Sequence, residues 1–97
     1  MYVILTSKPG QFRTELGAGL QAIEAYDYLL CGRKRAHFVI AQLEAEVRIR
    51  IVEEGARPVV NDLPSKFLPR FATLEQARAQ LRQLAGTGAL DAALVKT

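Results

Sequence analysis

A strand-like alternation of apolar and polar residues in the middle of the chain constrains the fold more than any other feature. The alternation is clean in the last of three strand-like runs, at residues 25–31, 36–43 and 47–53, which are separated by short polar turns. In the third run Val47, Ile49 and Ile51 share one face, while the arginines between them share the other. Consecutive strands joined by short turns usually pair with each other, so the three runs predict an antiparallel meander.

The two turns of the meander set its predicted register. A three-residue loop at residues 32–34 and a turn at residues 44–45 place the large apolar side chains on one face. The predicted cross-strand pairs are Leu30–Ala36, Tyr28–Phe38 and Tyr26–Ile40 in the first hairpin, and Ile40–Ile49 and Phe38–Ile51 in the second. Gly32 comes first in its loop, whereas such loops favour glycine last. An even-length loop therefore remains an alternative for the first hairpin.

The regions on either side of the meander predict further, shorter elements. Residues 1–7 are apolar and β-branched and end at the turn sequence Lys8-Pro9-Gly10, after which residues 11–16 can return as a second strand. Residues 55–72 contain three prolines together with many apolar side chains. We expect this segment to wrap the sheet or to add a short edge strand.

Helical spacing occurs near the C-terminal end of the chain. Thr73 and Gln76 fit a capping box, and apolar residues recur on one stripe, which predicts an amphipathic helix over residues 73–85. Gly86 and Gly88 would end it. The apolar stripe consists of Leu74, Ala77, Leu81 and Leu84. Residues 89–96 form a short apolar tail, in which Leu90, Leu94 and Val95 either pack on their own domain or dock on a second subunit.

These patterns together predict an α+β fold for a single domain that comprises residues 1–97. The expected architecture is an antiparallel sheet of four or five strands, with the C-terminal helix packed on its apolar face. The second face mixes Leu29, Val39 and Ala41 with Arg48 and Arg50. A half-apolar face that stays open is a surface for self-association, so the sequence predicts a homodimer.

Composition excludes several classes of function and favours a cytoplasmic protein. The formal net charge of +3 comes from mixed charges rather than a one-sided basic excess, which argues against nucleic-acid binding. No apolar run approaches a membrane span or the core of a signal peptide. A single cysteine cannot form an internal disulfide and favours a reducing compartment. The excess of arginine over lysine, with abundant alanine, is typical of a GC-rich bacterial genome.

The only cysteine and the only histidine lie close together, which raises the question of nucleophilic catalysis. Under the favoured register Cys31 and His37 are diagonal neighbours on the second face, with Asp27 further along. A thiol that loses its proton to an imidazole held by a carboxylate is an activated nucleophile. However, no glycine-rich turn or helix start beside Cys31 supplies an oxyanion hole, and a free cysteine is usually a small buried residue. One cysteine and one histidine also cannot complete a zinc site, so we expect no metal and no cofactor.

Two other groups of residues are candidates for ligand binding. Arg33, Arg35, Arg48 and Arg50 could receive a carboxylate or phosphate, because the guanidinium fork binds two oxygens at once. The alternative is that these arginines are solvated or paired with nearby glutamates. Tyr26 and Tyr28, two residues apart on one predicted strand, are candidates for a pocket or for core residues whose hydroxyls reach its rim.

The sequence therefore favours a small non-enzymatic accessory or binding protein, which could be a small subunit beside a larger enzyme. The interpretation rests on missing catalytic machinery, since the chain has no phosphate-binding loop, dinucleotide motif or nucleophile elbow. The alternatives are a small dimeric α+β enzyme and a regulator that senses a small acidic metabolite through its arginines.

Overall fold

The computed structural model of the protein describes residues 1–85 and 92–97, and these residues form seven strands, a 3-10 turn and one helix. The elements are β1 (Tyr2–Ser7), β2 (Phe12–Thr14), β3 (Leu20–Leu30), β4 (Arg33–Leu43), β5 (Arg48–Glu53), β6 (Val60–Pro64), the 3-10 turn Ser65–Phe67, α1 (Leu74–Leu84) and β7 (Ala92–Lys96). No helix in these residues combines the length and apolar character needed to cross a membrane.

The first sheet is antiparallel, has four strands in the order β1-β4-β3-β7, and carries the helix on one face. Phe38 and Ile40 of β4 pack there against Ala77 and Leu81 of α1, and all four are buried. Full burial of a side chain the size of Leu81 stabilises the fold by about 2 kcal/mol. The predicted α+β class, with a four-stranded antiparallel sheet and a C-terminal helix on its face, is confirmed.

The second sheet, with the order β2-β5-β6, covers part of the other face of the first. Its Ile49 is buried against Val3, Leu5 and Ala41. The predicted pairing of β5 with β4 is therefore wrong, and neither Ile40–Ile49 nor Phe38–Ile51 is a cross-strand pair. The reason is that β1 and β3 already occupy both edges of β4. The second sheet covers, at Ala41, the face that the sequence predicted to be open. The homodimer stays a prediction.

The hairpin of β3 and β4 differs from its predicted register by two residues. Cys31 and Gly32 form a two-residue turn with positive φ angles of 52° and 74°, which is the geometry of a tight hairpin turn. Arg35 is then an extra residue, because Tyr28 pairs with Ala36 while Leu29 pairs with Lys34. This bulge restores the parity that the even-length turn would have changed. The predicted pairs Leu30–Ala36, Tyr28–Phe38 and Tyr26–Ile40 are wrong, although Tyr26, Tyr28, Ala36 and Phe38 do share the helix face.

The helix matches its prediction closely, whereas the flanking segments match theirs only in part. Thr73 Oγ1 accepts a hydrogen bond from Gln76 N at 3.1 Å, as the capping box requires. Leu94 of β7 packs in the core beside the helix, so this part of the tail lies on its own domain. Residues 55–72 do add an edge strand, β6, whereas the predicted second strand is shortened to β2. Gly86, Gly88 and Leu90 lie outside the described residues.

Candidate functional site

The bulge at Arg35 turns this side chain toward the helix face of the first sheet. Successive residues of a regular strand point to opposite faces, yet Arg35 and Ala36 line the same groove. The extra residue in β4 accounts for this, because a bulge re-aims one side chain without ending the strand. The local sequence therefore places a cation where strand alternation alone would not.

This groove, which we call the basic groove, has a volume of about 500 Å³ and lies between the first sheet and the end of α1. Strand β1, the turn after it, strands β3 and β4, and the last residue of α1 all contribute to it. The lining residues are Thr6, Lys8, Gln11, Tyr28, Arg35, Ala36, Phe38 and Leu84. Cavities of this size accommodate a small organic molecule.

Hydrogen bonds in the tight turn after β1 hold Lys8 and Gln11 at the rim. The backbone amides of Gln11 and Phe12 both donate to the Lys8 carbonyl at 3.0 Å, and Lys8 N donates to the Phe12 carbonyl at 2.8 Å. Gly10 supplies the positive φ of 77° that closes the turn. The turn thus places a second cation in the lining of the same groove, on a backbone that is itself hydrogen-bonded.

Among the described residues, no carboxylate matches the positive charge of the basic groove. None of its described lining residues is acidic, and within residues 1–85 and 92–97 neither Lys8 nor Arg35 lies in an ion pair. The floor is apolar, formed by Ala36, Phe38 and Leu84. An arginine fork beside a lysine and an apolar floor can hold an anion that carries an apolar body.

Asp27 and His37 contact each other on the opposite face of the sheet from the basic groove. The two residues lie directly opposite each other on β3 and β4, and His37 Nδ1 is 2.7 Å from Asp27 Oδ1. Lys34 Nζ is 3.2 Å from the same oxygen. The hydrogen bond with His37, followed by that with Lys34, lowers the pKa of Asp27 despite its partial burial.

Cys31 does not join this pair. It lies in the exposed hairpin turn, and its predicted place as a diagonal neighbour of His37 is wrong because the register differs by two residues. The residue opposite His37 on its other side is Ser7 of β1, which sequence reasoning missed since it depends on the β1–β4 pairing. Ser7 Oγ accepts a hydrogen bond from Thr14 N at 2.9 Å, and none of the hydrogen bonds among the described residues joins it to His37. The row Ser7, His37 and Asp27 therefore lacks the proton path of a serine nucleophile.

The four arginines predicted as one anion site lie in three places. Arg33 is at the exposed start of β4, next to the turn, and Arg35 lines the basic groove. Arg48 and Arg50 lie on β5 of the second sheet, where Arg50 Nε is 3.8 Å from Asp62 and 4.0 Å from Glu15. Arg48 also lines cavities and forms no ion pair among the described residues, but those cavities contain the carboxylates of Glu15, Glu46 and Asp62. Of the four arginines, Arg35 alone lines a cavity whose described residues include no carboxylate.

The two tyrosines also separate. Tyr28 lines the basic groove, whereas the Tyr26 hydroxyl donates to Glu24 at 3.2 Å. A second bulge, at Ile23, turns Glu24 toward the helix, because Ala22 pairs with Ala41 while Glu24 already pairs with Ile40. The Glu24 carboxylate is almost fully buried there, a feature that the sequence pattern did not indicate.

Glu24 is the centre of an ion cluster, which we define as Glu24, Arg78, Lys96 and Glu75. Arg78 binds both oxygens of Glu24, at 2.7 and 2.8 Å, and also contacts Glu75. Lys96 Nζ is 3.0 Å from Glu24 Oε2 and so ties β7 to β3. The hydrogen bonds from Arg78, against the opposing effect of burial, lower the pKa of Glu24 to about 2.

The described residues contain no group of three or more histidine, cysteine or acidic side chains that could hold a metal ion. Comparison with protein-family models, with curated proteins and with solved structures finds no match to this chain. The assignment of a function therefore depends on the chemistry of the basic groove and its neighbours.

Proposed function

We propose that this chain is a small cytoplasmic binding protein, not an enzyme, which takes up a small organic acid in the basic groove. One observation carries the proposal: the bulge in β4 places Arg35, which forms no ion pair among the described residues, in the lining of a cavity that also has apolar residues. A carboxylate there would form charge-assisted hydrogen bonds with Arg35 and lie near Lys8. Its apolar body would cover Ala36, Phe38 and Leu84. The burial of this apolar surface would offset the cost of removing the carboxylate from water.

The cytoplasmic location in this proposal is supported by the hairpin turn. Cys31 is exposed and has no disulfide partner, because it is the only cysteine of the chain. An exposed thiol stays reduced in a reducing compartment and is prone to intermolecular oxidation outside one.

Thermal unfolding in the presence of small acids tests the proposal. We expect hexanoate and benzoate to raise Tm, since a ligand that binds only the folded state stabilises it. At ten times Kd the stabilisation is about 1.4 kcal/mol, or roughly 7 °C for a domain of this size. Sodium chloride at equal ionic strength and acetate, which lacks the apolar body, should raise Tm much less.

Two arginine variants provide the matched control. Arg35→Gln should abolish the acid-dependent rise in Tm, whereas Arg33→Gln, which removes the same charge outside the groove, should leave it unchanged. The proposal is wrong if neither hexanoate nor benzoate stabilises the protein more than the salt control. It is also wrong if both variants reduce the response equally, because the effect is then one of net charge.

A further inference from the structure

The aromatic residues that line the basic groove indicate which kind of acid fits it. Two aromatic residues contribute, Tyr28 from β3 and Phe38 from β4, and their backbones are close because Tyr28 pairs with Ala36, two residues before Phe38. Phe38 is almost fully buried, so its ring is fixed by the core and only a small part is open to the groove. Rings held in this way favour a flat aromatic partner, which packs offset or edge-to-face against them.

The helix end at the groove bears on the charge of the ligand. Leu84, the last residue of α1, lines the groove, so the C-terminal end of the helix lies beside it. This end carries a partial negative charge, whereas phosphate groups are usually bound at the opposite, N-terminal end. Two cations and a helix C-terminus together suit one negative charge better than two.

We infer that the ligand of the basic groove is an aromatic monocarboxylate, with its carboxylate on Arg35 and its ring against Tyr28 and Phe38. The inference rests on the proposed function and narrows it to one class of acid. The neutral side chains of Thr6 and Gln11 in the lining leave room for a polar ring substituent, since each can donate or accept a hydrogen bond.

Calorimetric titration with four probes of similar size tests this inference. Benzoate should bind about fivefold more tightly than cyclohexanecarboxylate, because a saturated ring loses the aromatic contacts. Benzamide, which is flat but neutral, should bind at least about tenfold more weakly than benzoate. Phenyl phosphate, a dianion at neutral pH, should bind about threefold more weakly than benzoate.

A pair of variants connects the preference for aromatic acids to the groove. Tyr28→Leu should bring the affinities for benzoate and cyclohexanecarboxylate to within about twofold of each other, whereas Tyr28→Phe, which keeps the ring, should preserve the preference. Equal binding of the two acids by the unmodified protein, or tighter binding of phenyl phosphate, overturns the inference and leaves the proposed function standing. If none of the acids binds, the proposed function fails as well.

Discussion

Arg78 and Arg35 lie on the same side of the first sheet and have opposite electrostatic surroundings. Arg78, on α1, holds both oxygens of the buried Glu24 and also contacts Glu75. Arg35, in the bulge of β4, faces the basic groove and forms no ion pair among the described residues. The ion cluster links β3, α1 and β7. The cations of the basic groove, by contrast, form no ion pair with any described residue.

This comparison distinguishes an arginine that stabilises the fold from one that is available to bind a ligand. A cation whose partners all lie within the fold contributes to stability and is not free to bind a ligand. A cation that is exposed in a groove and has no carboxylate partner contributes little to stability, and an anion that binds it stabilises the folded state. A β-bulge positions the charged residue in each region. The bulge at Ile23 positions Glu24, and the bulge at Arg35 positions Arg35 itself.

The largest expected effect comes from removing the central carboxylate of the ion cluster. Glu24→Gln should lower the free energy of unfolding by about 2 kcal/mol, because Arg78 and Lys96 lose their shared partner next to the core. Glu75→Gln is the matched control, since Glu75 contacts the same arginine but is exposed, and it should cost no more than about 0.5 kcal/mol. Urea unfolding measures both, and equal effects would contradict a structural role for the buried pair.

The same cluster predicts how stability depends on pH. The pKa of Glu24 is lowered from 4.5 to about 2 by Arg78, so its contribution to stability is present above pH 4.5 and lost as the pH falls toward 2. The contribution of Asp27 to stability is also lost as the pH falls, because its pKa is lowered as well. The urea midpoint of the unmodified protein should therefore fall between pH 5 and pH 3, and that of Glu24→Gln should fall less. A parallel decrease in both proteins would assign the acid sensitivity to other groups.

A new carboxylate in the basic groove should make that region resemble the ion cluster. Gln11→Glu places an acidic side chain at the rim, within the groove that contains Lys8 and Arg35. We expect benzoate to bind about tenfold more weakly, since the added charge competes for the same cations, with stability changed by no more than about 0.5 kcal/mol. Gln11→Ala is the control for loss of the amide. Unchanged benzoate binding by Gln11→Glu would show that the ligand does not use the groove's charge.

The smallest effect is expected for removal of the unpaired arginine itself. Arg35→Gln in the absence of ligand should change the free energy of unfolding by less than about 0.5 kcal/mol, because no ion pair within the described chain is lost. Arg33→Gln should behave in the same way. A large destabilisation by Arg35→Gln alone would mean that this side chain supports the fold, and the contrast with Arg78 would disappear.

Local features of the fold could be predicted from the sequence, whereas the pairing of distant strands could not. The capping box at Thr73 and Gln76 and the alternation of β4 are local, and both the helix and the helix face of the sheet followed from them. β5 could pair with β4 only if one edge of β4 was free. The N-terminal strand β1 occupies that edge. Alternation alone does not distinguish a neighbouring strand from one packed across a face.

The candidate site was harder to predict because two bulges control it. Neither Ile23 nor Arg35 carries a sequence signal for an extra residue, so neither the burial of Glu24 nor the orientation of Arg35 could be predicted. Arg35 and Tyr28 were chosen for their chemistry, and the structure brings those two together in one groove. Arg33, Arg48 and Arg50 were chosen for the same reason and lie elsewhere, since residue type alone does not specify which sheet a strand joins.

The most direct test of the central claim is a benzoate titration followed by two-dimensional 1H–15N NMR of the unmodified protein and of Arg35→Gln. We predict saturable shifts concentrated at the amides of Thr6, Lys8, Gln11, Tyr28 and Ala36, which line the basic groove, and their loss in the variant. Amides of β5 around Arg48 and Arg50 should not move in either protein, because those arginines lie on the second sheet. Shifts centred on β5, or shifts that persist unchanged in Arg35→Gln, would contradict the account.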